Sequence, residues 1–484
     1  MSPSVYSQNK GSTGINAVKW AFVDRFGSQL VQLINILVLA RILLPRDFGL
    51  IGILYIFLSI SSALVDSGMG GALIRKQNLT KKDTSTFFFF NVVVSLVCYL
   101  IIYFAAPYVA RFYHEPSLVL LLRLLSISII INAMGLVQRV LLIKSLAIVK
   151  VTRASLIASV IATIIAIICA FYGLGIYSLV LMLLSQCTLN TLLLCVFCRW
   201  RPTLELSLES FHNFFSFGFS LLLTALLNIG FANIYQPLIA KNLSIVYAGF
   251  YYQAKRLYEV PILSISQVVD SVTYPILVRF QNDREGLESR YKKIVLLLVF
   301  VSAPIVVLTS ILSKDIVLVF LGKNWLFSAQ LLSILCFAGI FQILETTSGS
   351  LLKVEGRTKL IFKLELIKKV IIVINIIVFY RFGISALMFV IVANAMISFL
   401  INQYFTSIKM TNAVDLLKIV FNVICMGGVA LLIKQMITNT YFSIIITGGV
   451  SSMVYLFLGY LQRIPAQTFL ISLIPKYKAS QVTV

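Results

Sequence analysis

The order of apolar and polar positions along the chain predicts a protein made of membrane-spanning helices. Runs of about 20 mostly apolar residues, the length that crosses a bilayer as a helix, alternate with short polar gaps. We assign about fourteen spans, at residues 20–42, 48–72, 85–106, 118–137, 154–172, 176–198, 213–239, 248–274, 294–313, 328–352, 368–382, 384–405, 416–436 and 442–461. No gap is long enough for a soluble domain, so any activity must lie in the membrane.

Composition agrees with an all-α integral membrane protein. Of 484 residues, 60% are hydrophobic and only 12% are charged, and the mean hydropathy is +0.98. A soluble globular domain is excluded because too little polar surface exists to cover it. Residues 1–15 are polar and no small-residue cleavage site follows them, so the first span is expected to remain in the mature protein.

The second half of the chain repeats features of the first half about 200 residues later. Arg41 and Gly49 match Lys241 and Gly249, and residues 73–77 resemble residues 277–281. A period this long in an apolar chain is typical of transporters built from two similar helical bundles. The offset contains six spans, an even number, so both bundles insert in the same orientation.

This repeat predicts three parts and a central cleft. Two six-helix bundles, at 1–202 and 203–410, are expected to be related by a pseudo-twofold axis along the membrane normal. Two further spans at 411–484 lie outside the repeat and are expected to pack on one side.

Charge predicts the orientation of the chain in the membrane. The net charge is +23, with 40 Lys and Arg against 17 Asp and Glu. Roughly 28 of these cations lie in the N-terminus, the even-numbered gaps and the tail, so both termini are expected to be cytoplasmic. The cations are spread over short loops, which disfavours a nucleic-acid partner and indicates attraction to anionic membrane lipids instead.

Polar residues within the spans are the candidates for a substrate site, because a charge at mid-bilayer costs about 3 kcal/mol and usually faces a cavity or a partner. The candidates in the first span are Arg25, Gln29, Gln32 and Arg41. In the second half, Lys241 follows the seventh span at the position equivalent to Arg41, and the eighth span contains Tyr251, Lys255, Arg256 and Tyr258. One interpretation is a cationic, aromatic cavity in which Lys and Arg meet phosphate and tyrosines meet sugar rings. The alternative is that Lys255 and Arg256 extend to headgroups or are neutralised by Glu259.

Acidic residues in the spans suggest gating or coupling. Asp66 and Asp270 occupy matching positions, each nine residues before an arginine, Arg75 or Arg279. These pairs predict gating salt bridges or, alternatively, ordinary helix-end capping. Glu345 in the tenth span is an isolated acid that could bind a proton or cation, or simply hydrogen-bond a neighbour.

Other chemistry is disfavoured by the sequence. Cys195 and Cys198 form a C-x-x-C without further metal-type ligands nearby, so we expect no metal site. No phosphate-binding loop, D-x-D or paired histidine is present, and we assign no catalytic residue.

The stretch Ala40-Arg41-Ile42-Leu43-Leu44-Pro45-Arg46-Asp47-Phe48-Gly49, with Asp66-Ser67 and its equivalent Asp270-Ser271, resembles a known group of transporters. It is similar to polysaccharide exporters of the multidrug/oligosaccharidyl-lipid/polysaccharide (MOP) superfamily, in particular Wzx-type flippases. The resemblance implies a V-shaped transporter in the bacterial inner membrane that opens alternately to either face. It would move an undecaprenyl-diphosphate-linked oligosaccharide to the outer leaflet for surface polysaccharide assembly.

The resemblance also implies partners and leaves alternatives open. No cofactor is expected beyond coupling to a proton or sodium gradient, and polysaccharide polymerase or assembly proteins are expected partners. A multidrug exporter and a lipid II flippase remain alternatives within the superfamily. From another class, a membrane glycan polymerase or transferase is disfavoured because no large loop or catalytic motif is present.

Overall fold

The computed structural model describes residues 27, 31, 34, 35, 37–66, 69–77, 79–408, 413–437 and 439–472, and in this part of the chain the regular structure is helical throughout. Helices satisfy every backbone N–H and C=O internally, which is what an apolar surrounding requires. Among the described residues, ten helices are long and apolar enough to cross a membrane, or eleven if one bent pair is counted as a span. The chain is a multi-pass membrane protein.

The chain divides into two compact units, Met1–Gly249 and Phe250–Val484. After a helical stretch at residues 37–42, the first unit contains α1 (Pro45–Asp66), α2 (Met69–Arg75), α3 (Lys81–Tyr113), α4 (Ser117–Lys144), α5 (Ile148–Phe171), α6 (Ile176–Cys198), α7 (Leu208–Asn233) and α8 (Tyr235–Asn242). Helix α9 (Ile245–Arg279) begins in this unit and continues into the second.

The second unit continues with α10 (Arg284–Ile311), α11 (Ser313–Phe320), α12 (Leu326–Val354), α13 (Thr358–Phe379), α14 (Ile384–Phe405) and α15 (Ala413–Met436). Short turns at Thr440–Phe442 and Ser443–Thr447 lead into α16 (Gly448–Leu461), and α17 (Pro465–Ser472) follows. Helices α15, α16 and α17 all pack against α10, so the two extra spans lie beside the second unit's core.

The division into compact units falls at a different residue from the predicted bundle boundary, which stays a prediction. The prediction placed it at residue 202, whereas the first unit extends to Gly249. The reason is that α7 packs against α1, α2 and α3, and α8 packs against α1 and α3. The seventh predicted span therefore belongs to the first unit.

The two units share a packing pattern. In the first, α3 packs on α4, α4 on α6, and α5 on α6; in the second, α10 packs on α12, α12 on α14, and α13 on α14. This match supports the predicted repeat, which stays a prediction. The seventh predicted span is broken into α7 and α8, which meet at a 41° bend.

Small residues on α5 allow it to pack closely against a neighbouring helix. On α5, alanines recur every fourth residue and are buried, at Ala154, Ala158, Ala162, Ala166 and Ala170. This stripe lets α5 and α6 approach closely, as is usual in membrane bundles.

A reciprocal glycine contact joins the first turns of α1 and α9. A Cβ at Gly49 would lie 2.0 Å from the Ile245 carbonyl oxygen, and a Cβ at Gly249 would lie 1.8 Å from the Pro45 carbonyl oxygen. Only glycine fits at either position. Gly49 and Gly249 are the two glycines that match in the sequence repeat. Each packs against a backbone carbonyl four residues before the other glycine, at Ile245 or Pro45.

Two helices that cover predicted spans carry several charged residues. Helix α13 begins at Thr358, ten residues before the predicted start of its span at 368, and carries Lys359, Lys363, Lys368 and Lys369. Helix α9 carries Lys255, Arg256 and Glu259. Lys359 and Lys363 precede the predicted span at 368–382, whereas Lys255 and Arg256 belong to the predicted substrate site.

Candidate functional site

A polar crevice lies within the first unit, where three spanning helices each present a stripe of polar residues and α2 and α5 add further lining residues. On α1 the stripe is Tyr55, Ser59, Ser62 and Asp66; on α4 it includes Ser128, Asn132 and Arg139; on α6 it includes Gln186, Asn190 and Thr191. Positions i, i+4, i+7 and i+11 lie on one face of a helix, which explains why each stripe faces the same space. The stripe on α1 extends over about 16 Å, half of the hydrocarbon thickness.

The crevice consists of two adjoining cavities of about 340 and 520 Å³. Ser62, Asn132 and Asn190 line both cavities and connect them. Ser62, Asn132 and Arg139 are exposed although they lie in spanning helices. Polar side chains exposed at this depth normally face water rather than lipid, so the crevice is interpreted as a wet compartment.

Close helix contacts fix the walls of the crevice. The Thr191 hydroxyl donates a hydrogen bond to the Ile131 carbonyl at 3.1 Å. A Cβ at Gly135 would lie 2.9 Å from the Thr191 hydroxyl oxygen. Glycine at 135 therefore lets α6 approach α4. The Cys187 thiol donates to the Ser128 carbonyl at 3.3 Å, which adds a second contact between these helices.

The only charged groups that line the crevice among the described residues are Asp66 and Arg139. The Asp66 carboxylate accepts a hydrogen bond from the Gly70 backbone N–H and interacts electrostatically with Arg139. Asp66 thus caps the start of α2 and lines one end of the crevice. Arg75 lies exposed at the end of α2. This contact is of the kind that the capping alternative predicts, and the role of Asp66 stays a prediction.

The remaining lining groups are hydroxyls and amides, which both donate and accept hydrogen bonds. Tyr55, half exposed, adds an aromatic ring with a hydroxyl. This combination matches the hydroxyl groups and C–H faces of a sugar better than it matches a cation or a purely apolar molecule. Among the described residues, no group of three or more His, Cys, Asp or Glu side chains could hold a metal ion.

Several candidates in the second unit contact other side chains of the protein. Lys255 Nζ lies 3.6 Å from a Glu259 carboxylate oxygen, one helical turn away, as the spacing predicts. Tyr258 is buried and its hydroxyl accepts a hydrogen bond from the Gln342 amide at 3.2 Å; Tyr251 is buried as well. Buried rings do not offer a face to a sugar, whereas Lys255 and Arg256 remain partly exposed.

Glu345 has a partner that the sequence analysis missed. Lys368 Nζ lies 2.7 Å from a Glu345 oxygen and 2.7 Å from a Glu365 oxygen, and the lysine side chain is only 3% exposed. Lys368 is the first residue of the predicted span 368–382, which would place it at a membrane surface. In the structure it lies three turns inside α13, where burial makes a counter-charge necessary.

Arg41 and Lys241, matched in the repeat, lie near the ends of helices. The Lys241 ammonium donates to the Phe112 carbonyl and lies over the Phe112 ring, 4.5 Å from its centroid. Nearby, Arg46 forms an ion pair with Glu115 at 2.6 Å. These contacts fasten the turn after α3 to α1 and α8.

Four further predicted residues cannot be placed in this geometry. Arg25, Gln29 and Gln32 lie outside the described residues, and so does the side chain of Asp270, whose backbone lies within α9. Arg279 is exposed in the last turn of α9.

Apart from Asp66, the sequence-based candidates did not include the crevice residues of the first unit, because charged residues and their immediate neighbours were given most weight. The spacing Tyr55-Ser59-Ser62-Asp66 and the run Ser128-Asn132-Gly135-Arg139 are visible in the sequence as polar stripes on apolar helices. A search for neutral hydroxyl and amide residues at helical spacing would have found them.

Comparison with known proteins agrees with this architecture. The chain is 25% identical to the teichuronic acid biosynthesis protein TuaB of Bacillus subtilis (strain 168) over 351 residues, 72% of each chain. It is 23% identical to the lipopolysaccharide biosynthesis protein WzxC of Escherichia coli (strain K12) over 356 residues, 73% of this chain and 72% of the relative.

Solved structures share the fold. The inward closed conformation of the lipid II flippase MurJ aligns with a TM-score of 0.75 at 18% identity, over 93% of this chain and 99% of MurJ. An inward-facing multidrug resistance MATE family transporter of the MOP superfamily aligns with a TM-score of 0.61 at 14% identity, over 77% and 92%.

The family model described as "Polysaccharide biosynthesis protein" matches residues 38–330, more than half of the chain. The predicted resemblance to polysaccharide exporters is thereby confirmed, and the chain belongs to the polysaccharide biosynthesis protein family.

Proposed function

We propose that this protein is a flippase that moves a polyprenyl-diphosphate-linked oligosaccharide, of the undecaprenyl type, from the cytoplasmic to the outer leaflet of the bacterial inner membrane. The observation that carries the proposal is the polar crevice of the first unit. Its hydroxyl and amide lining within spanning helices suits a glycan that must cross the hydrocarbon layer. Membership of the polysaccharide biosynthesis family supports this substrate class.

In the proposed mechanism, sugar hydroxyls exchange hydrogen bonds with water for hydrogen bonds with Ser62, Asn132 and Asn190. Neutral groups suit this task because they bind a glycan weakly enough to release it, whereas a buried charge would demand a fixed counter-ion. The lipid tail remains in the bilayer. Cationic residues, among them Lys255 and Arg256, receive the diphosphate, and the cycle proceeds by alternating access.

The two units differ in the charge of their polar residues, and this difference suggests different roles. The crevice of the first unit is open and mostly neutral, while the charged residues Glu345, Glu365, Lys368 and Lys369 of the second unit form ion pairs with one another. We propose that the first unit holds the glycan. The acid-base cluster of the second unit then serves gating or coupling to an ion gradient.

Purified protein in liposomes tests the proposal. A fluorescent polyprenyl-diphosphate oligosaccharide placed in one leaflet should become accessible to a membrane-impermeant quencher from the other side, without chemical change. Asn132→Leu with Asn190→Leu should slow this relocation at least about tenfold, because two pairs of hydrogen bonds to sugar hydroxyls are lost. Met134→Leu with Leu192→Met, on exposed faces of the same helices, should leave the rate unchanged.

Charge variants test the diphosphate contacts separately. Lys255→Ala with Arg256→Ala should slow transport of the diphosphate-linked glycan while the protein inserts normally. Unchanged transport would remove these two residues from the mechanism. Expulsion of cationic dyes without glycan relocation would favour a multidrug exporter, and a new covalent product would indicate an enzyme.

A further inference from the structure

A half-open groove lies in the second unit where α10 meets α17, near the end of α9. Its volume is about 490 Å³, within the range of small-molecule sites. The lining residues that matter here are Arg290, Lys293, Ile294, Leu297, Pro465 and Ala466. This groove shares no residue with the polar crevice of the first unit.

The groove is polar at one end and apolar along its length. On α10, Arg290, Lys293, Ile294 and Leu297 follow at i, i+3, i+4 and i+7, so two cations and two aliphatic residues form one stripe. Lys293 is the last charged residue before an uninterrupted uncharged segment at 294–311. The cations therefore lie where the membrane interface begins, and the aliphatic part of the groove lies at the depth of acyl chains.

Among the residues that the structure describes, Arg290 and Lys293 differ from Lys292 in having no ion-pair partner. Lys292 forms an ion pair with Glu288 at 2.5 Å, but within the described part of the chain neither Arg290 nor Lys293 forms one. The Arg290 guanidinium lies over the Phe280 ring, 3.6 Å from its centroid, which orients the group while leaving its N–H donors free for an anion.

Buried hydrophobic residues pack tightly beneath the groove. Ala466 is buried with Leu296, Phe300 and Ile464 in one hydrophobic cluster. The wall formed by α17 is therefore held in place, and the groove between the helices is a fixed feature of the fold.

We propose that this groove binds an anionic glycerophospholipid of the surrounding membrane. The lipid phosphate contacts Arg290 and Lys293, and an acyl chain lies along Ile294 and Leu297 against Pro465 and Ala466. A lipid in this position touches both α10 and α17. It fastens the end of the two extra spans to the core of the second unit.

Native mass spectrometry of the full chain, with phosphatidylglycerol or phosphatidylcholine added at matched concentration, tests the proposal. Wild type should retain phosphatidylglycerol in preference to phosphatidylcholine. Arg290→Ala with Lys293→Ala should weaken phosphatidylglycerol binding about 25-fold, since each interfacial cation contributes about fivefold. The matched control, Lys359→Ala with Lys363→Ala, removes two cations one turn apart on α13 and should leave binding unchanged.

A second variant separates headgroup from acyl chain. Thr468 is exposed at the groove, so Thr468→Trp should fill it and weaken binding with both cations intact. Equal binding of both lipids, or equal loss in the two double variants, would overturn the proposal. It would also be overturned if undecaprenyl diphosphate displaced phosphatidylglycerol from the groove, or if only a chain shortened after residue 472 bound lipid.

Discussion

At the scale of single residues, the second unit depends on a buried lysine and its two acidic partners. Lys368 is almost fully enclosed, while the Glu345 and Glu365 side chains are 26% and 40% exposed. Removing one member of a buried pair leaves an uncompensated charge, whereas removing both can be nearly neutral. The cluster is therefore a place where single and double substitutions should differ.

Lys368→Met should lower the free energy of unfolding by about 3 kcal/mol, because Glu345 loses its ion-pair partner while Glu365 keeps Lys369. Adding Glu345→Gln should restore part of that loss. Thermal unfolding in detergent measures both. Lys292→Met, in a pair whose side chains are 32% and 42% exposed, should cost less than about 1 kcal/mol. An equal loss in the control would show that the burial of Lys368 is unimportant.

The reciprocal glycines make a second prediction at this scale. Gly49→Ala or Gly249→Ala would place a Cβ within 2.0 Å of a carbonyl oxygen, so one helix must shift. We expect a loss of about 1–3 kcal/mol, typical of overpacking. Gly428→Ala is the matched control: nothing lies within 4 Å of that Cβ position, and alanine favours the helix. Similar melting temperatures for all three variants would contradict the contact.

At the scale of elements, the polar crevice depends on the helical spacing of weakly polar residues. Helices α1, α4 and α6 are long and apolar overall, so the stripes do not prevent membrane insertion. Their convergence produces a compartment that no single helix has. The same helices present aliphatic residues on their other faces, which separates the wet side from the lipid side.

Thiol accessibility tests this separation. In a chain with all seven native cysteines replaced, Ser62→Cys and Asn132→Cys should react with a small hydrophilic thiol reagent. Ile164→Cys, at an exposed position of α5 outside the crevice lining, should not react because lipid keeps the thiol protonated and dry. Comparable labelling at all three positions, or protection of both crevice positions, would show that the crevice is not wet.

At the scale of the whole molecule, the asymmetry of positive charge predicts one orientation. The turns at 145–147 and 355–357 carry or adjoin Lys144, Lys150, Lys353 and Arg357, whereas the turn at 173–175 contains no charge. Cations resist translocation across the membrane, so charged short turns stay in the cytoplasm.

Epitope tags inserted in these turns measure the orientation. A tag at 174 should be labelled in intact spheroplasts, and tags at 146 and at the C-terminus should be labelled only after permeabilisation. Labelling of 146 from outside would reverse the proposed topology and, with it, the proposed direction of transport.

Sequence patterns alone determined that the chain is a membrane protein, where most of its helices lie, and which family it resembles. These features depend on the length and apolar character of each segment, which are local properties of the chain. The pairing of Lys255 with Glu259 also followed from local spacing.

Tertiary structure decided which polar residues meet. Lys368 of α13 finds Glu345 of α12, twenty-three positions away, and Ser62, Asn132 and Asn190 of three helices line one space. The assignment of α7 and α8 to the first unit was settled in the same way, by contacts with α1 and α3. Rotation and packing of helices fix these encounters, and neither is encoded in the hydropathy of any single segment.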